Sequence, residues 1–104
     1  MKHKLDEIFS NIYFLDTFFK RFKGLMFKND ISKDSVYILK TKGVHSFFMR
    51  FGIYVIYLNE NKEVLYKTYL DPWKNAGVKL DSKYVLETKK NILGLVSLGD
   101  KIVF

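Results

Sequence analysis

The chain has 104 residues, 48% hydrophobic, 28% charged and 17% aromatic, a balance that excludes a disordered or fibrous protein and leaves room for one globular domain over residues 1–104. Its lack of cysteine excludes a disulfide scaffold, a thiol nucleophile, a thiolate zinc site and an iron–sulfur cluster together. The formal charge of +7 rests on scattered lysines with only Arg21 and Arg50 beside them, and because base edges are read mainly by guanidinium forks, a solvated basic surface is favoured over a dedicated nucleic-acid face.

Residues 1–5 read as a frayed terminus. Asp6 and Glu7 stand where a signal peptide would carry its apolar stretch, and no apolar run approaches the roughly 20 residues of a membrane span, so a soluble, cytoplasmic chain is expected. Ile8 to Phe14 leans towards strand. Asp16 or Thr17 then caps a predicted helix whose apolar positions Phe18, Phe19, Phe22, Leu25 and Met26 share one face, with Lys20, Arg21 and Lys23 opposite. A membrane-surface helix has the same stripe, but a sheet with one helix to cover it needs that stripe for its core.

Val36 to Leu39 and Ser46 to Phe51 are short β-rich runs, punctuated by Gly43 and Gly52. Ile53 to Leu58 is the clearest strand. Both of its faces are apolar, which predicts a central strand covered on both sides or the wall of a small barrel. Asn59 to Lys62 supplies a turn, so Val64 to Leu70 returns as a hairpin partner. Lys83 to Glu87 and Lys101 to Phe104 add two more strands, with Gly94 and Gly99 breaking the segment between them.

The residues argue against most catalysis. His3 lies in the terminal stretch, which leaves His45 as the usable imidazole. Ser46 adjoins it, but neighbours in a strand point to opposite faces and no G-x-S-x-G elbow is present. No metal-ligand spacing occurs, and the six glycines never form a phosphate-binding pattern, so no metal and no cofactor is expected.

At RFKGLMFK and VHSFFMRFGIYVIYLN the chain resembles domain-of-unknown-function family 192. The resemblance rests on Arg21, Gly24, Leu25, Met26 and Phe27, on the block Val44 to Asn59, and on three later motifs: Pro72-Trp73-Lys74, Val85-Leu86-Glu87 and Gly99-Asp100. It runs in order from about Phe19 to the C-terminus. It implies a mostly antiparallel β domain with a short helix, and no established activity. Gly52, Ile53 and Tyr54 replace the family's Pro-Ile-Asp, which removes a carboxylate. Asn91 replaces a family glycine, which predicts a positive φ there.

The expected fold is mainly β (α+β), a small antiparallel β barrel or sandwich with one short amphipathic helix. The expected function is a small non-enzymatic binding or accessory domain for a peptide, protein or small ligand, with nucleic acid and membrane disfavoured as partners. The alternatives are an enzyme centred on His45 with Glu87 or Asp100, and weak nonspecific nucleic-acid contact through lysine. Alternation places His45, Phe47 and Met49 on one side of a strand, where Tyr54 and the Trp73 loop could complete a ligand-binding pocket. The competing expectation is that Trp73 plugs one end of the core. The oligomeric state is left open, with edge pairing a route to a dimer.

Overall fold

The run IYVIYL combines β-branched and aromatic residues, which fit a pleated surface buried on both sides, and in the computed structural model it forms the heart of a five-stranded sheet. The structure describes residues 1–15 and 28–104. In chain order these form β1 (Lys2–Lys4), α1 (Leu5–Ile8), β2 (Asn11–Leu15), β3 (Ser35–Leu39), β4 (Gly43–His45), β5 (Ile53–Leu58), β6 (Val64–Leu70), β7 (Asn75–Val78), β8 (Tyr84–Thr88) and β9 (Lys101–Val103). The large sheet runs β2-β3-β8-β5-β6, and two ribbons, β1-β9 and β4-β7, flank it. The architecture is mainly β and sandwich-like, and the sheets do not close into a barrel.

Period-2 alternation divides the core into two layers. Val36, Ile38, Ile56, Leu58 and Leu86 face one way, where Leu5 and Phe9 from the N-terminal segment and Ile92, Val96 and Ile102 from the C-terminal segment cover them. Tyr37, Leu39, Val55, Tyr57 and Val85 face the other way and meet Val44, Met49 and Phe51. Tyr57 is fully buried, and its hydroxyl donates to the Gly77 carbonyl at 2.6 Å, tying the large sheet to the β4-β7 ribbon. Burial raises the Tyr57 phenol above its usual range, with Glu87 adding to the shift.

The hairpin between β5 and β6 forms where its turn residues place it. The Asn59 side-chain oxygen accepts from the Asn61 and Glu63 amides, each at 2.9 Å, and Lys62 takes the left-handed conformation at φ 62° that closes such loops.

Several expectations are corrected. The terminal stretch is not frayed: β1 pairs in parallel with β9, His3 is buried and Leu5 belongs to the core. Ser46 to Phe51 is not a strand, because Phe48 turns the chain at φ 65°. Asn91 does not take a positive φ; its side-chain oxygen accepts from the Leu93 amide at 3.2 Å, so the residue serves as a side-chain turn rather than as a glycine substitute. The pairing is mostly antiparallel, but β2-β3 and β1-β9 are parallel. The helix predicted from Thr17 to Met26 lies outside the described residues.

Candidate functional site

Two loops meet beside the β4-β7 ribbon. One leaves β4 through Ser46, Phe47 and Phe48; the other joins β6 to β7 through Asp71, Pro72, Trp73 and Lys74. Ser46, fully buried, fastens them together. Its amide donates to the Lys74 carbonyl at 2.8 Å, and its carbonyl accepts from the Trp73 amide at 2.9 Å and from the Met49 amide at 3.1 Å. Its hydroxyl accepts from the Lys74 amide at 2.8 Å and donates to the Asp71 carbonyl. One serine thereby satisfies the backbone groups of both turns, whose burial without partners would be costly.

The bracket holds aromatic side chains outward. Phe47, Phe48 and Trp73 are 37%, 44% and 57% exposed. Phe48 meets Trp73 edge to face at 4.8 Å between ring centres, and Phe47 lies 6.3 Å from Trp73. The His45 ring stacks on Phe47 at 4.6 Å, and its Nδ1 accepts from the Phe47 amide at 3.2 Å, which puts the proton of the neutral ring on Nε2. Phe48 and Trp73 both have positive φ, 65° and 63°. A bulky side chain there is rare, and strain of this kind gathers where a structure holds side chains for use.

Of the residues selected from sequence, the structure brings His45, Phe47 and Trp73 into one cluster. Met49 is turned inward and fully buried, because the chain reverses at Phe48 and strand alternation no longer applies. Tyr54 lies on the large sheet with its ring against Tyr69 at 4.9 Å. Trp73 is no plug of the core, since more than half of it faces solvent. Phe48 escaped sequence reasoning, and nothing in a Phe-Phe pair signals a left-handed residue. Ser46 was visible as a neighbour of His45, but its part is structural.

Of the two carboxylates named as partners for His45, Asp100 is engaged at the chain's ends. Asp100 meets His3 instead: His3 Nε2 lies 2.8 Å from Asp100 Oδ2, and the Ser97 amide donates to the same oxygen at 3.0 Å. Glu87 is fully buried in β8, in register with Tyr37 and Val55. A separate hollow opens between Lys42, Asn59, Leu80 and Lys83, and none of the residues selected from sequence lines it. No helix among the described residues is long and apolar enough to cross a membrane.

Comparison with known proteins agrees with this architecture. The family model DUF192, described as "Uncharacterized ACR", matches residues 2–104. A UPF0127 protein of Pyrococcus furiosus is 40% identical, over 92% of this chain and 88% of its own length. A UPF0127 protein of Thermococcus sibiricus is 35% identical, over 84% of this chain and 61% of its own length. The crystal structure of a protein of unknown function from Novosphingobium aromaticivorans superposes with a TM-score of 0.73 at 16% identity, covering 86% of this chain and 71% of that one. That likeness speaks for the fold alone.

Proposed function

This chain belongs to domain-of-unknown-function family 192, a membership that brings no activity with it, and we propose that it is a small non-enzymatic binding or accessory domain of the cytoplasm. Its recognition surface is the aromatic knuckle of His45, Phe47, Phe48 and Trp73. The observation that carries the reading is that two exposed aromatic residues, Phe48 and Trp73, are held at positive φ on loops locked by a buried serine. Prior ordering of large, stiff rings lowers the entropy lost on association, which is how small aromatic surfaces reach useful affinity. The surface keeps three of the five residues selected from sequence, adds Phe48, and leaves out Met49, which solvent does not reach, and Tyr54, whose ring packs on Tyr69.

Trp73 is the single tryptophan of the chain, so its emission reports on this surface directly. A panel of proline-rich peptides, aromatic fragments and short oligonucleotides, titrated while amide resonances are followed, is expected to shift Trp73 emission. The perturbed amides should gather at residues 45–48 and 71–74. Perturbations gathered around Lys42 and Leu80 instead, with Trp73 unmoved, would place the binding surface elsewhere.

A further inference from the structure

We propose that the outer edge of β6 pairs antiparallel with the same edge of a second copy of this chain, joining two large sheets across a two-fold axis. β6 is the last strand of its sheet and pairs only with β5. At its start the outer edge is taken: the Gly99 amide donates to the Val64 carbonyl and the Val64 amide to the Asp100 carbonyl, each at 2.8 Å. The register shift of the β5-β6 hairpin falls before Tyr66, so Tyr66 to Leu70 keeps regular strand geometry. Over this stretch alternate amides and carbonyls turn away from β5, and no backbone group among the described residues meets them. An unpaired edge is a template for another strand, which proteins block with proline or with a charged side chain of the strand itself. β6 has no proline. Its one charged side chain, Lys67, is drawn onto a neighbouring turn, where the ammonium donates to the Leu93 and Val96 carbonyls at 2.6 Å each.

The occupant follows from what flanks the edge. On one side Tyr66 shares a shallow hollow with Leu65, Val78 and Leu80, and of these Tyr66, Val78 and Leu80 are exposed. On the other side, the turn that holds Lys67 runs on to Gly99 and carries the exposed Leu95 and Leu98. A lone peptide strand satisfies the hydrogen bonds of the edge, but it is one layer thick and leaves both apolar flanks in water. A second copy brings the same layers, so strand meets strand and each flank meets its own counterpart. A patch that faces itself must not carry a single sign of charge. In the first flank Lys79, whose ammonium rests over the Tyr66 ring at 4.2 Å, is balanced by Asp81, and residues 94–98 of the second carry no charge. The net charge of +7 repels the copies at a distance, and salt screens that repulsion.

The test is sedimentation velocity over a rising concentration of the full chain, with hydrogen exchange followed at both ends of the range. A dimer is expected whose affinity increases with salt, and whose newly protected amides gather at residues 66–70. Leu80→Lys and Leu95→Lys, at exposed positions and checked by circular dichroism for an intact fold, each place like charges on both sides of the two-fold and should weaken the dimer about tenfold or more. Trp73→Ala should leave it unchanged. A chain that stays monomeric at every concentration overturns the proposal. So does a dimer that either lysine variant forms as readily as the parent, or one that Trp73→Ala abolishes, which would lie at the aromatic loops instead. A synthetic peptide of residues 64–70 serves as the competing strand. If it protects β6 in a chain that remains monomeric, the edge takes an extended peptide and the second copy is excluded.

Discussion

Trp73 occupies a backbone conformation that glycine would hold without penalty, and the difference can be measured. Both Trp73→Ala and Trp73→Gly lose the ring, but only glycine is relieved of the left-handed strain. Trp73→Gly is therefore expected to be more stable than Trp73→Ala by about 1 kcal/mol in urea denaturation, even after the added freedom of its unfolded chain. The reverse order would mean that the conformation is not strained. Ser46 gives the opposite kind of test. Its hydroxyl is buried between the Lys74 amide and the Asp71 carbonyl, so Ser46→Ala strands both and should cost about 1–3 kcal/mol. If it does, Trp73 emission should also shift to the red as the two turns come apart; a variant with unchanged stability and emission would remove Ser46 as the fastener.

At the scale of elements, the β4-β7 ribbon depends on a close backbone approach. A Cβ added at Gly43 would come within 2.8 Å of the Gly77 carbonyl oxygen, a backbone atom that cannot swing aside. Gly43→Ala is expected to force the two strands apart at a cost of about 1–3 kcal/mol, with faster hydrogen exchange at Val44 as its local sign. Exchange at Val44 unchanged from the parent would show that the ribbon accommodates the methyl group. The elements also show what a sequence reveals. β5, β6 and β8 were legible, because β-branched and aromatic residues gather there in runs bounded by turn-forming residues. β1, β4 and β7 were not, since KHK, GVH and NAGV carry no period of their own and are strands only through the partners that pair with them. SFFMRF misled in the other direction: its aromatics resemble a strand, and the turn at Phe48 left no mark in composition. The candidate site shares this division, with His45, Phe47 and Trp73 readable as residues and their meeting place readable only from the fold.

At the scale of the whole molecule, the two ends of the chain hold each other. The Asp100 carboxyl is drawn down from 3.8 to about 2, first by the hydrogen bond with His3, then by the Ser97 amide and the N-terminal ammonium. A carboxyl whose folded pKa is depressed contributes stability that is complete above its unfolded value, near pH 4, and is lost as the pH falls towards 2. The urea midpoint should therefore fall across that interval, and Asp100→Asn should flatten this part of the profile; an Asp100→Asn profile parallel to the parent's would show that the His3 contact does not couple to folding. A different consequence follows from the strand order. β8 lies between β3 and β5 and is hydrogen-bonded to both, so it alone joins β2-β3 to β5-β6. On a ribosome the chain emerges from its N-terminus, and until residues 84–88 clear the exit tunnel the nascent protein holds two unjoined pairs with apolar flanks open to water. β1 waits longer still, for a partner 99 residues away. Contacts this distant in sequence form slowly, so the large sheet is completed late, and the chain depends most on protection from aggregation while β8 has yet to join the two pairs.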